Sequence, residues 1–270
     1  MADLGIGIVG AAGRMGLVLT RAVSEAEGLR VIAATERSGH GALGADIGIL
    51  AGLDALGVAV IDDAGALFAA ADAVLDFTVP AATAAHAALA AENATILVTG
   101  TTGLKPDQQA AIESAARSVA VVQAPNFSVG VNVAMALAEQ TARLLDDDYD
   151  IEVVEMHHRH KVDAPSGTAL GLGQAAAKGR GVALDAVAER GRDGITGARE
   201  RGAIGFASLR GGDVVGDHTV VFAAPAERLE ITHKAAGREI FARGAVRAAL
   251  WAADRPAGLY SMADVLGFNG

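Results

Sequence analysis

The chain has 270 residues, of which 51% are hydrophobic, and this content is sufficient for a buried core and argues against disorder. Its formal charge of −10 argues against binding to nucleic acid or to an anionic membrane, because both need a positive surface. The absence of cysteine excludes disulfides, thiolate catalysis and cysteine-ligated metals.

The first half of the chain alternates short apolar runs with alanine-rich helical stretches. Strands are predicted at residues 6–9, 30–35, 73–77, 95–98 and 119–123, with a helix from about 13 to 26. Strands that alternate with helices indicate parallel βαβ units whose strands are buried on both faces. We therefore predict an α/β fold with a Rossmann-type, doubly wound parallel sheet.

The second half has a different pattern. Strands are predicted at residues 151–156, 205–209, 219–223 and 229–233, with helices at about 132–145, 168–177 and 239–254. This order indicates a second, α+β domain with an open mixed sheet and helices on one face. The segment 190–201, rich in glycine and charge, is predicted to form a mobile surface loop, with a substrate lid as the alternative.

A glycine-rich segment joins the first predicted strand to the first predicted helix. Gly10, Gly13 and Gly16 would allow a tight turn, close approach of the backbone to a pyrophosphate, and close packing of the helix. The helix N-terminus adds backbone amides and a partial positive charge. The segment predicts a dinucleotide cofactor, although its spacing is G-x-x-G-x-x-G and a chain with 34 glycines also produces such turns by chance.

Two charged residues follow the second predicted strand. An acid at the position of Glu36 would bond the ribose hydroxyls of the adenosine. Arg37 could hold a 2′-phosphate or stack on adenine. Because both are present, NADH and NADPH remain equally open, and a solvated charged turn is the alternative.

Two further strand ends are expected at the same edge of the sheet. Asp76-Phe77-Thr78 ends one strand, and Gly100-Thr101-Thr102-Gly103 follows another. Ligands of open α/β sheets bind beyond the carboxyl ends of the strands. Pro106 then marks the start of a helix.

The segment EMHHRHKVDAPSGT, residues 155–168, contains five consecutive His, Arg or Lys residues. Such a cluster in an acidic chain suits a substrate with more than one negative charge. Histidine exchanges protons near neutral pH, and lysine donates a proton or holds a carboxylate. Ser166 is a plausible N-cap, and the amides of Gly167 and Thr168 would bind a second carboxylate.

Two other interpretations of this segment predict different roles for it. His158 and His160 could ligate a metal, but the chain lacks cysteine and has few carboxylates nearby, so we predict no metal site. The segment could also be a solvated basic strand end. The contiguous cations followed by a capped helix favour a site for a small dicarboxylate.

Together these motifs resemble the dihydrodipicolinate reductase family, also called 4-hydroxy-tetrahydrodipicolinate reductases, of bacterial and plant lysine biosynthesis. The resemblance covers essentially the whole chain, and residues 157–168 are its most specific part. It also includes the motifs Ala124-Pro125-Asn126-Phe127-Ser128, Val215-Gly216-Asp217-His218-Thr219 and Leu229-Glu230-Ile231-Thr232-His233-Lys234.

The resemblance implies roles for individual residues. His157 matches the proton donor or acceptor, Lys161 the second proton donor, and the substrate-binding positions are His158, Gly167 and Thr168. The implied nucleotide contacts are Gly10, Ala11, Ala12, Gly13, Arg14, Met15, Glu36, Arg37, Gly100, Thr101, Thr102, Ala124, Pro125, Asn126 and Phe127. The implied reaction is the NADPH- or NADH-dependent reduction of a cyclic, unsaturated dicarboxylate to tetrahydrodipicolinate.

The resemblance also implies a domain organisation. Residues 1–128 and 238–270 would bind the nucleotide, and residues 129–237 would bind substrate and form a homotetramer through their sheets. Arg238 either reaches the substrate or has a structural role. Some members have a basic residue where this chain has Val79, so any help from that side chain to a cofactor phosphate is absent.

Two other classes of protein would share some of these sequence features. An aspartate or homoserine dehydrogenase would share a similar nucleotide domain, and a non-catalytic nucleotide sensor would bind NAD(P)H but would not need the dense His/Lys cluster. The first ten residues have no basic region and no signal-peptide core, and the longest uncharged run contains Gln123, Pro125 and Asn126. We therefore expect a cytoplasmic protein.

Overall fold

The computed structural model describes residues 3–268. Within these residues the strands are β1 (Leu4–Val9), β2 (Leu29–Thr35), β3 (Val60–Ile61), β4 (Ala73–Asp76), β5 (Ile96–Thr99), β6 (Ala120–Gln123), β7 (Asp150–His157), β8 (Ala188–Glu189), β9 (Ile204–Arg210), β10 (Gly216–Ala224), β11 (Glu227–Ala235) and β12 (Gly258–Tyr260). The helices are α1 (Arg14–Glu25), α2 (Ile47–Leu50), α3 (Ala64–Ala70), α4 (Pro80–Asn93), α5 (Pro106–Ala115), α6 (Val129–Leu144), α7 (Gly167–Gly179), α8 (Leu184–Val187), α9 (Glu239–Ala252) and α10 (Met262–Leu266). Residues 1–2 and 269–270, the ends of the predicted first domain, lie outside the described residues.

The chain forms two compact units. The first unit comprises the residues up to Val129 and those from Arg238 onward, and the second unit comprises Gly130–Gly237. The first unit contains a seven-stranded sheet in the order β12-β6-β5-β4-β1-β2-β3. All of its strand pairs are parallel, so the predicted Rossmann-type sheet is confirmed.

Alternating side chains cover both faces of this sheet. On β4, Leu75 packs into the apolar cluster formed with α1 and α9, while Val74 packs into the cluster formed with α3, α4 and α5. Successive residues of a strand point to opposite faces. Because both faces are covered by helices, the strands are mostly apolar, which is the pattern that the sequence shows.

The second unit contains a five-stranded mixed sheet in the order β11-β10-β7-β9-β8. β7 runs parallel to β9 and antiparallel to β10. Ile151 and Val153 of β7 pack against Ala138 of α6 and Leu172 of α7 in the core of this unit. The predicted α+β unit with an open mixed sheet is therefore confirmed.

Several short elements were not predicted from the sequence. They are α2, β3 and α3, which lie between β2 and β4, and also α8, β8, β12 and α10. Elements of two to seven residues are too short to show a hydrophobic period.

Residues 190–201 have no regular structure, as expected for a loop. Two of the arginines in this segment, Arg192 and Arg199, donate to Glu152 on β7. The mobility of the segment and its use as a lid stay predictions. No helix of residues 3–268 has the length and apolar character needed to cross a membrane.

Candidate active site

The glycine-rich turn lies between β1 and α1, as predicted. Gly10 adopts φ +63°, a conformation that favours glycine, and its carbonyl accepts a hydrogen bond from the Gly13 amide at 3.0 Å. A Cβ at Gly16 would lie 2.4 Å from the carbonyl oxygens of Gly10 and Ala11. Only glycine therefore fits at the third glycine position without displacing the turn. Arg14 is exposed at the start of α1, and Met15 packs against the core.

Glu36 lies beside this turn, at the carboxyl end of β2. Its Oε1 accepts a hydrogen bond from the Ala12 amide at 3.2 Å, and its Oε2 accepts one from the Arg37 amide at 3.2 Å. The Arg37 side chain is exposed. The structure thus brings the predicted ribose-binding acid to the glycine-rich turn, because β1 and β2 are adjacent and parallel.

The ends of β4 and β5 are joined by a network of hydroxyl and carboxylate groups. Asp76 is fully buried and accepts hydrogen bonds from the amide and hydroxyl of Thr78, at 3.0 and 2.5 Å. His86 Nδ1 lies 2.9 Å from the same carboxylate. The Thr83 hydroxyl donates to the Thr101 hydroxyl at 2.8 Å. Thr101 is buried by this network, whereas Thr102 is exposed.

The segment after β6 lies next to the end of β5. The Ala124 amide donates to the Thr99 carbonyl at 3.2 Å, and the Phe127 ring lies 5.2 Å from the Phe77 ring. Phe127 is 1% exposed and belongs to the core, whereas Pro125 is exposed. Of the predicted nucleotide contacts in this segment, Pro125 is therefore exposed and Asn126 half-buried, whereas Ala124 and Phe127 are buried.

The cationic segment begins at the last residue of β7. His157 is 8% exposed, and its Nδ1 lies 2.6 Å from Oε2 of Glu155, which is 1% exposed. Arg210 of β9 donates to both oxygens of this carboxylate, at 2.8 and 2.9 Å. Burial alone would raise the pKa of Glu155, but hydrogen bonds from Arg210 and His157 outweigh burial and hold this pKa below its ordinary value.

The start of α7 lies against the same group of side chains. The Ser166 hydroxyl accepts from the Ala169 amide at 3.1 Å, which confirms the predicted N-cap, and lies 3.0 Å from Nε2 of His218. The Ser166 amide donates to Glu155. Burial, and next electrostatic repulsion between its own charged form and that of His157, lower the pKa of His218 to about 4, so His218 is neutral near pH 7. Gly167 and Thr168 form the first turn of the helix, and Gly167 is exposed.

The other members of the segment form a turn after β7. Lys161 Nζ lies 2.8 Å from Oδ1 of Asp163, and this contact lowers the pKa of the Asp163 carboxyl. His158 Nδ1 is buried without a hydrogen-bond partner, whereas Arg159 and His160 are exposed. Among residues 3–268, no three His, Asp or Glu side chains are placed to hold a metal ion.

Three residues of this site were given no role in the sequence analysis. Glu155 could have been found, since side chains two apart on a strand share a face, and Glu155 and His157 have that spacing. His218 was noted only as part of a familiar motif. No sequence feature predicted a role for Arg210, because it reaches Glu155 through the pairing of β9 with β7.

This arrangement offers groups for both acid–base chemistry and anion binding. A histidine held by a buried carboxylate can exchange a proton through its second ring nitrogen. A lysine and a helix N-terminus near it can hold negatively charged groups. The second unit therefore has the parts needed to bind and protonate a small anion.

Comparison with known proteins gives a consistent result along the whole chain. The family described as "Dihydrodipicolinate reductase, N-terminus" matches residues 4–127, and "Dihydrodipicolinate reductase, C-terminus" matches residues 130–266. A 4-hydroxy-tetrahydrodipicolinate reductase of Ruegeria pomeroyi is 57% identical over 97% of this chain and 98% of its own length. One of Rhodopseudomonas palustris is 57% identical over 100% of this chain and 98% of its own length.

Several solved structures have a fold similar to that of this chain. A dipicolinate-bound dihydrodipicolinate reductase from Paenisporosarcina has a TM-score of 0.76 at 24% identity, covering 96% of this chain and 97% of its own. GenD2 from gentamicin A biosynthesis, in complex with NAD, has a TM-score of 0.61 at 15% identity, covering 98% and 91%. At such identities the likeness concerns the fold alone. The two family matches and the 57% identity over nearly the full length lead to one conclusion: this chain belongs to the dihydrodipicolinate reductase family.

Proposed function

We propose that this protein uses NADH or NADPH to reduce 4-hydroxy-tetrahydrodipicolinate to tetrahydrodipicolinate, in the diaminopimelate route to lysine. The observation that carries the proposal is the His157–Lys161 segment beside the capped start of α7, in a chain 57% identical to reductases of that name. A cluster of cations next to a helix N-terminus suits a small dicarboxylate.

The first unit has the features that a nicotinamide dinucleotide requires. The turn from Gly10 to Met15 excludes a side chain at Gly16, and Glu36 lies beside it. The residues that would hold the cofactor are Gly10, Ala11, Ala12, Gly13, Arg14, Met15, Glu36, Arg37, Gly100, Thr101, Thr102, Ala124, Pro125, Asn126 and Phe127. When bound, the cofactor supplies hydride to a ring carbon of the substrate.

The second unit supplies binding and proton transfer. His158, Gly167 and Thr168 hold the carboxylates, and His157 and Lys161 give the proton that balances the hydride. If the 4-hydroxy compound is the species bound, loss of water comes first, and the reduction then adds one hydride and one proton. Positioned cations stabilise the negative charge that develops and keep the substrate at reactive distance.

Cofactor choice depends on Glu36 and Arg37. The acid suits the two ribose hydroxyls of NADH, and the exposed guanidinium suits the 2′-phosphate of NADPH. Val79, which is 60% exposed, adds no charge. Preference between the two cofactors, homotetramer formation through the sheet of the second unit, and a cytoplasmic location stay predictions.

The test is oxidation of NADH or NADPH, followed by absorbance, with the fresh condensation product of aspartate semialdehyde and pyruvate as substrate. His157→Gln and Lys161→Ala should each lower kcat by roughly 10²- to 10⁴-fold. Lys178→Ala is the matched control, because Lys178 lies in the last turn of α7, is 73% exposed and pairs with Glu139. Absence of substrate-dependent oxidation despite cofactor binding would contradict the proposal and favour another dehydrogenase substrate or a sensor.

A further inference from the structure

We propose that Glu155, held in place by Arg210, is the positioning residue for His157, and that it fixes one hydrogen on Nδ1 so that Nε2 is the nitrogen that takes up and gives the transferred proton. This inference rests on the proposed function only in assigning proton exchange to Nε2. The arrangement itself follows from contacts within the second unit.

The spacing of the two residues places them together. Glu155 and His157 lie two residues apart on β7, where every second side chain points to the same face, and both are buried. The 2.6 Å contact between Oε2 and Nδ1 is therefore built into a regular strand. A strand is a stiffer support than a loop, so the direction of the imidazole is fixed by the sheet.

Arg210 keeps Glu155 an acceptor. Its two terminal nitrogens donate to the two carboxylate oxygens, and the Ser166 amide donates a further bond to Oε1. An ionised carboxylate has no hydrogen to give. The bond between Glu155 and His157 must therefore use a hydrogen on Nδ1, which determines the tautomer of the neutral ring.

Neighbouring groups hold the ring without competing for the proton. His218 lies opposite Glu155 in the pairing of β7 with β10, and its ring contacts His157 edge-on with centroids 5.0 Å apart. His218 is itself engaged by the Ser166 hydroxyl. Ser166 thus connects the start of α7, Glu155 and His218, and His157 is packed on one side and hydrogen-bonded on the other.

The direct test is to determine which ring nitrogen of His157 carries the proton in the unliganded protein. Histidine labelled with ¹⁵N distinguishes protonated from unprotonated ring nitrogens, and the spectrum of His157→Gln assigns the His157 signals among the seven histidines. We expect the neutral ring to carry its proton on Nδ1. A neutral ring with its proton on Nε2 would overturn the proposal without any variant of Glu155.

Substitution tests the consequence for turnover. Glu155→Gln should shift the ring to a mixture of tautomers and lower kcat by roughly 10²- to 10⁴-fold, while the KM for the substrate changes little. Glu155→Asp, which keeps the charge, should recover part of the loss. Glu152→Gln is the control, because Glu152 lies on the other face of β7 and also binds two arginines, Arg192 and Arg199, without touching His157.

Other outcomes separate this inference from the proposed function. If the Glu155→Gln protein keeps the His157 proton on Nδ1 and has the same kcat as the Glu152→Gln control, the positioning role of Glu155 is refuted. If Glu155→Gln fails to fold, Arg210→Lys provides the same comparison with a smaller change, and an unaltered kcat there would refute the part assigned to Arg210. Full activity of His157→Gln would instead refute proton transfer by His157, whereas the ¹⁵N spectrum would still test the Glu155 contact.

Discussion

Replacing His218 by glutamine should remove a pH-dependent part of the free energy of unfolding. His218 is 5% exposed on β10, and its Nε2 lies 3.0 Å from the Ser166 hydroxyl. Burial, followed by repulsion between its charged form and that of His157, lowers its pKa from 6.5 to about 4. Glutamine has an amide that can reach Ser166, but it does not titrate, so this variant isolates the protonation of the ring.

The sign and size of this change in the free energy of unfolding follow from proton linkage. Between about pH 6.5 and about pH 4 the unfolded chain binds a proton at this histidine, whereas the folded chain does not. The stability that His218 contributes is therefore complete above about pH 6.5 and is lost as the pH falls toward about 4. A difference of roughly 2.5 pKa units corresponds to about 3 kcal/mol.

The assay is urea unfolding followed by circular dichroism at one protein concentration, from about pH 8 to about pH 4. As the pH falls, the free energy of unfolding of the unsubstituted protein should decrease by about 3 kcal/mol more than that of His218→Gln. His160→Gln is the control, because His160 is exposed, and it should leave the pH dependence unchanged. If the difference between His218→Gln and the unsubstituted protein stays constant across this range, the reasoning is wrong.

Three further predictions concern the glycine-rich turn, the helix cap and the charged residues Glu36 and Arg37. Gly16→Ala should weaken binding of NADH and NADPH and lower the stability by about 1–3 kcal/mol, because its Cβ would lie 2.4 Å from two backbone carbonyl oxygens, whereas Gly41→Ala meets open space. Titration followed by the fluorescence of NADH or NADPH measures the affinity for the cofactor, and equal affinities in Gly16→Ala and Gly41→Ala would contradict the prediction. Ser166→Ala should lower the free energy of unfolding by about 1–3 kcal/mol through loss of the N-cap and of the bond to His218, and an unchanged urea midpoint would show that neither contributes. Arg37→Ala should raise the KM for NADPH more than that for NADH, and Glu36→Ala should do the reverse; parallel changes in steady-state kinetics would refute both assignments.

Much of the first unit could be predicted because its signals are local. β1 and α1 were predicted to within two residues at each end, since a strand buried on both faces is a continuous apolar run and an amphipathic helix repeats every 3.6 residues. Pro106 and Ser166 marked helix starts for equally local reasons, a fixed φ angle and a side-chain cap.

The segment between β2 and β4 shows what such signals miss. The Asp46 carboxylate accepts hydrogen bonds from five backbone amides, of residues 48, 49, 56, 57 and 58. Four of these bonds, led by that of Leu56, lower the pKa of Asp46, and all five organise α2 and the chain that leads to β3. Two of these amides are local and three lie ten or more residues away, so no periodic pattern reports them.

The segment from Glu155 to Thr168 also combines local features with contacts that are distant along the chain. By itself the sequence determined the cationic run from His157 to Lys161 and the cap at Ser166, because each depends on the order of residues within one short segment. The shared face of Glu155 and His157 followed only from the observed end of β7, which lies one residue beyond the predicted strand. Only the tertiary structure decided that Arg210 pairs with Glu155, 55 residues away along the chain, and that His218 packs against His157. Those contacts depend on β7 lying between β9 and β10, and strand order is set by the packing of the whole sheet against α6 and α7 rather than by any local pattern.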